Sequence, residues 1–97
     1  MKYTPTTTKR DLRIIGEYFA TQRKLLGLRV SDVAKRAGIS ETTVTNLEHG
    51  RPVRSDALIT VARILQLADY MVKAADPYSH DLGMVRAAQI LPKRVRQ

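Results

Sequence analysis

Residues 30–49 read VSDVAKRAGISETTVTNLEH, and the spacing in this stretch decides the fold. From Val30 to Ala37 the apolar residues Val33, Ala34 and Ala37 recur at helical offsets and share one face. Gly38 stops that helix, because glycine reaches the left-handed backbone of a tight turn at no steric cost. Ile39 then packs after the turn, and Ser40 is a strong N-cap for a second helix. Glu41 in its first turn suits the positive end of the helix. Val44 and Leu47, three apart, are the only large apolar residues that follow. Glu41, Thr42, Thr43, Thr45, Asn46 and His49 leave the rest of that surface polar.

Two short helices joined by a glycine turn form the helix-turn-helix pattern. Its chemistry accounts for the residue types. The helices must cross closely, so Ala34 and Ala37 are small. Ile39, Val44 and Leu47 anchor the second helix, while its other face carries short polar side chains able to reach base edges in a major groove. Arg29, Arg51 and Arg54 flank that face and suit phosphate clamps. The same pattern also fits an ordinary four- or five-helix bundle whose polar third helix is simply solvated.

Working towards the N-terminus, Ile15, Phe19 and Leu26 fall at helical offsets and predict one buried face of a first helix. That helix is expected to start near Asp11 and to stop at Gly27. Thr4, Pro5, Thr6, Thr7 and Thr8 make residues 1–10 an expected flexible, basic, extended arm. Towards the C-terminus, Ser55 is expected to cap a fourth helix. Its stripe of Leu58, Val61, Ala62 and Leu65 is expected to be buried. A short fifth helix is expected over residues 68–75, before Asp76-Pro77 breaks the chain. The domain is thus expected to span residues 11–76. Residues 77–97 form a separate tail, with one short helix near residues 82–91 and a basic end, KRVRQ.

The whole chain has 97 residues, enough for one core. Its 17 Lys and Arg against 9 Asp and Glu give a net charge of +8, which favours a nucleic-acid partner over mere solubility by charge. The excess is uneven. Residues 1–27 hold six basic and two acidic groups, whereas residues 55–76 hold two and three. The middle of the second half should therefore face away from a polyanion. There is no cysteine, which excludes a disulfide scaffold and thiolate metal sites and favours the reducing cytoplasm, where a DNA partner would make the protein nucleoid-associated. No apolar run approaches the roughly 18–20 residues of a membrane span, and the polar start MKYTPTTTKR does not read as a secretory signal. Aromatic residues make up only 5 %, too few for single-strand stacking platforms. His49 and His80 lack partner ligands, and no serine has a paired base, so no metal, no cofactor and no enzyme activity are expected.

The stretches RKLLGLRVSDVAKRAGIS, ETTVTNLEHGR and ALITVARILQL resemble the Xre/Cro-type helix-turn-helix family, which includes the lambdoid phage repressors. The resemblance covers about two thirds of the chain, from near Ile15 to Ala75. It implies an all-α, five-helix lambda-repressor-like DNA-binding domain, here with a short N-terminal arm and a C-terminal tail. It also implies a homodimer that represses from a palindromic operator. The base-reading positions of such relatives correspond to Glu41, Thr42, Thr43 and Asn46. Asn46 would read adenine, Glu41 would accept from cytosine, and the threonine methyls would meet thymine. Each threonine serves equally as solvated surface or phosphate contact. Arg29, Ser40, Arg51 and Arg54 are the phosphate candidates, with Ser40 also a cap. Arg23 and Glu48 match a pair that ties the first helix to the third. His49 is a phosphate contact or a plain helix-end residue. The departure is Arg29-Val30, where relatives usually carry a Thr/Ser-Gln pair whose Gln grips phosphate.

The tail reads either as a solubilising extension or as an interaction segment through Met84, Val85, Ile90, Leu91 and Val95. Its ending, RAAQILPKRVRQ, is similar to tails of HipB-like antitoxins encoded beside HipA-like kinase toxins. That resemblance implies a toxin–antitoxin operon and a protein toxin as partner. The alternatives are a free-standing phage or restriction-modification controller, an interaction module that inhibits an enzyme, and a sequence-independent RNA binder.

Overall fold

The computed structural model describes residues 4–90. Six α-helices follow one another: α1 (Thr6–Leu25), α2 (Val30–Ala37), α3 (Glu41–Glu48), α4 (Ser55–Ile64), α5 (Ala68–Ala75) and α6 (Asp81–Ile90). A single 3-10 turn, Pro77–Ser79, separates the last two. There is no strand among the described residues.

Helices α1 to α4 end alike. After α1, the Leu28 N–H donates to the Arg23 carbonyl and the Gly27 N–H to the Lys24 carbonyl, satisfying two of the four carbonyls a helix end leaves open. The same crossing bonds close α2 at Gly38 (φ 70°), α3 at Gly50 and α4 at Gln66. Among the described residues, Gln66 is the one non-glycine residue in this left-handed conformation (φ 65°).

Phe19 of α1, Val33 and Ala34 of α2, Val44 and Leu47 of α3, Val61, Ala62 and Leu65 of α4 and Ala68 of α5 form one buried cluster. Leu26, Leu58 and Ile39 pack partly buried against it. Ile15 does not: it is 38 % exposed, and its neighbour Gly16 is buried instead. The reason is backbone proximity. A Cβ on Gly16 would stand 2.5 Å from the Leu47 carbonyl oxygen. Glycine is therefore what lets α1 lie on the end of α3 with nothing between. Gly50 repeats the device, since a Cβ there would stand 2.7 Å from the Cα of Arg13.

Two helix starts differ from expectation. Helix α1 begins at Thr6 with Pro5 as N-cap, not near Asp11, so residues 6–10 are helical rather than an extended arm. Proline fits there because the first-turn amides lack intrahelical acceptors. Residues 1–3 lie outside the described residues. Helix α4 is capped by Arg54, and Ser55 is its first residue.

Beyond α5 the chain is redirected by a knot of short bonds. Ser79 Oγ donates to the carbonyls of Asp76 (2.7 Å) and Lys73 (2.9 Å), and the His80 ring to that of Ala74. Helix α6 then rests on the 3-10 turn through Gly83, where a Cβ would collide with the Pro77 carbonyl.

Candidate nucleic-acid interface

Helix α3 is built to be held by one side. Val44 is fully buried and Leu47 nearly so, while Glu41, Thr42 and His49 are exposed and Thr43, Thr45 and Asn46 half-buried. The start of the helix is fixed by Ser40, whose Oγ accepts from the Thr43 amide at 3.0 Å. The hydroxyls of Ser40 and Thr43 also bond each other at 2.9 Å. Of the four expected base-reading residues, Thr43 therefore spends its hydroxyl on the cap and keeps its methyl free. Glu41 and Thr42 stand open, and no hydrogen bond holds either side chain.

Asn46 is coupled to Arg51. The Arg51 Nη1 donates to Asn46 Oδ1 at 3.0 Å, and the Arg51 amide donates to the Asn46 carbonyl at 2.8 Å. An amide oxygen has two lone pairs, so Asn46 can keep this bond and accept a second. Its NH2 group remains a donor. The two side chains thus present one preorganised unit at the edge of α3.

The other expected phosphate contacts rest on neighbouring carboxylates. Arg54 Nη2 lies 3.0 Å from Asp56 Oδ2, and Arg29 Nε 3.5 Å from Asp32 Oδ2. Both arginine side chains are more than four-fifths exposed. Exposed pairs of this kind are worth about 0–1 kcal/mol, so a phosphate can replace the carboxylate at little cost. Asp32 also accepts from the Arg29 amide at 2.8 Å, and that bond holds its carboxyl below its ordinary value of 3.8. Val30, where relatives carry a polar clamp, packs against the core. The basic side chain at that corner is Arg29, held by Asp32.

Arg23 and Glu48 meet in two parallel bonds, Nε to Oε2 at 2.6 Å and Nη2 to Oε1 at 3.1 Å. Arg23 Nη1 further donates to the Leu28 carbonyl at 3.0 Å. With side chains only 12 % and 11 % exposed, this pair ties α1, α3 and the α1–α2 turn together and lines the cleft between α1 and α3. His49 bonds its own helix, Nδ1–H to the Thr45 carbonyl at 2.8 Å.

Two open clefts border α3. One, of about 660 Å³, lies towards α4 and includes Thr43, Asn46, Arg54 and Asp56. The other, of about 670 Å³, lies towards α1 and includes Arg13, Glu17, Lys24, Glu48 and His49. The second was not legible in the sequence, because Arg13 and Lys24 reach α3 only through the packing at Gly16 and Gly50. Thr45, read from the sequence as part of the polar face but not as a base-reading residue, is half-buried beside the exposed side chains.

In the tail, Met84, Val85 and Ile90 are exposed, as is Leu82, which sequence reading did not single out. Leu91 and Val95 lie outside the described residues. No helix is long and apolar enough to cross a membrane, and no group of three His, Cys, Asp or Glu residues is placed to hold a metal, both among the described residues.

The sequence model of the helix-turn-helix domain matches residues 14–74. No curated protein and no solved structure matches the chain. With five helices around one core, the fold is the all-α, lambda-repressor-like one.

Proposed function

The chain belongs to the helix-turn-helix domain family of DNA-binding regulators, and from that premise we propose a homodimeric transcriptional repressor that reads a palindromic operator through α3. The observation that carries this reading is the polar face of α3, edged by the Asn46–Arg51 unit and by exposed Arg54 and Arg29. In the major groove, Asn46 donates to adenine N7 and accepts from the N6 amine, while its oxygen keeps Arg51. Glu41 accepts from cytosine N4, and the methyls of Thr42 and Thr43 meet thymine methyls. Arg51, Arg54, Arg29 and the Ser40 hydroxyl take phosphate oxygens and fix the register. Two copies place their α3 helices in successive major grooves, about 34 Å apart. The exposed Tyr70 and Val72 of α5 support a dimer, since they leave apolar surface to cover. Occupancy of the promoter then excludes polymerase by bulk, and no catalytic step is required. The setting is the cytoplasm, at the nucleoid.

Helix α6 supports a protein partner. Leu82, Met84, Val85 and Ile90 all stand open on a ten-residue helix whose main contact is one turn. A helix apolar on several sides is normally buried. We assign its occupant to a HipA-like kinase toxin, with this protein as antitoxin and autorepressor.

The test uses a duplex from the protein's own promoter. Asn46→Ala should cost about 1–3 kcal/mol of preference for that duplex over a scrambled one, and Thr42→Ala should lower that preference as well. If both variants keep the parent's preference, base reading by α3 is wrong. Removing residues 77–97 should abolish neutralisation of a HipA-like kinase toxin and leave operator binding intact. Neutralisation by the shortened protein would sink the antitoxin assignment alone.

A further inference from the structure

The family match begins at residue 14, but α1 begins at Thr6, so two further turns of helix precede the matched domain. Lys9, Arg13 and Lys24 lie within a strip about 60° wide along α1, at about 100° per residue. All three are exposed, and none makes an ion pair among the described residues. Arg10, by contrast, is held by Asp11 at 3.2 Å. Arg13 and Lys24 line the α1–α3 cleft together with His49, and Lys9 continues the strip one turn towards the N-terminus. Glu17 is the one acidic group in the cleft left without a partner, since Glu48 is neutralised by Arg23.

This cleft and the one holding Arg54 border opposite flanks of α3. Thr43 lines the α4 side and Glu48 the α1 side, about 140° apart around the helix. A major groove is bounded by two phosphate walls about 12 Å apart. A helix seated between them presents one flank to each. Arg51 and Arg54 serve the wall on the α4 side.

We propose that Lys9, Arg13 and Lys24 of α1 form a second phosphate-binding wall that grips the DNA backbone on the α1 side of α3. The proposal rests on the reading of α3 as the groove helix and extends it to a surface that reads no sequence. It gives a role to the basic excess of residues 1–27. It also explains why that segment is helix: a rigid rod fixed at Gly16 and Gly50 holds its charges at a set distance from α3, which an extended arm cannot do.

The contacts are independent of sequence, so a random 20-base-pair duplex is the probe. Affinity is measured by fluorescence anisotropy from about 50 to 300 mM NaCl, because each phosphate contact contributes about −0.9 to the slope of log K against log salt. The full-length variant Lys9→Gln/Arg13→Gln/Lys24→Gln should lose affinity by roughly 100-fold near 100 mM salt, with a slope shallower by about 2–3. The control Arg63→Gln/Lys73→Gln/Arg86→Gln removes the same charge from α4, α5 and α6 and should keep the parent's slope. Circular dichroism checks that both remain helical. An unchanged slope in the α1 variant overturns the proposal, and so does an equal loss in the control. If the parent binds neither this duplex nor its own promoter at any salt, the failure lies in the DNA-binding reading itself. If Arg51→Ala weakens binding while the α1 variant does not, that reading stands and only the second wall falls.

Discussion

Arg23 and Glu48 have little water around them, so each charge is compensated chiefly by the other. Removing one partner leaves an unpaired charge in a poorly solvated place. Glu48→Ala should destabilise the fold by on the order of 3 kcal/mol, whereas the apolar pair Arg23→Met/Glu48→Leu should lie much closer to the parent. Urea unfolding of the three proteins checks this, and equal losses in both variants would contradict it. Asp32 gives a pH signature. Its carboxyl is held below 3.8 by the Arg29 amide, so the unfolded chain takes up a proton first as the solution is acidified. The stabilisation is full well above pH 3.8 and fades as the pH falls below it through the lowered folded value. The stability advantage of the parent over Asp32→Asn should accordingly be constant from pH 7 to 5 and shrink below pH 4. An advantage that grows with acid would contradict the assignment.

At the scale of the helix, α1 and α3 are joined by absence of side chain as much as by packing. Gly16→Ala places a methyl 2.5 Å from the Leu47 carbonyl oxygen, with the Glu48 carbonyl oxygen at 2.6 Å. Both are backbone atoms and cannot swing aside. The variant should lose about 3 kcal/mol, the upper end of overpacking costs, and shift α1 off α3. Thermal unfolding measures the loss. An alanine variant as stable as the parent would mean that the two helices are not in backbone contact. The periodicity of Ile15, Phe19 and Leu26 predicted the wrong residue here because hydropathy cannot register a glycine that is buried for its size. The start of α1 was misread for a related reason. Thr4 to Thr8 around Pro5 favour an extended chain locally, yet a proline just ahead of a first turn is also a helix start, and nothing local separates the two. Ser40 and Gly38 were read correctly because a cap and a turn are decided within three residues.

Across the molecule, α6 is the element least bound to the rest. It rests chiefly on Pro77–Ser79, and the buried cluster draws only on α1 to α5. A chain ending at residue 76 should therefore melt within a few degrees of the full-length protein and keep its affinity for DNA. A loss of more than about 10 °C would imply that the tail stabilises the domain, since even 1 kcal/mol shifts a domain of this size by roughly 4–8 °C. The charge distribution has the same division. The near-neutral stretch of residues 55–76 forms α4 and α5, which supply core on one side and exposed Tyr70 and Val72 on the other. The basic stretches lie on α1 and around α3.

The sequence by itself determined the helix-turn-helix unit, the number of helices in the domain, the caps at Ser40 and Gly38, and the polar face of α3. Each of these depends on residues within one or two turns of each other, where spacing and backbone preference act directly. The meeting of Arg23 with Glu48, twenty-five positions on, was implied only by likeness to a family. The seating of α1 at Gly16 and Gly50, and the cleft that brings Arg13 and Lys24 beside His49, were decided by the tertiary structure. The α1 contacts join atoms distant in sequence. They follow from how closely two backbones can approach once the core has set the helices across one another.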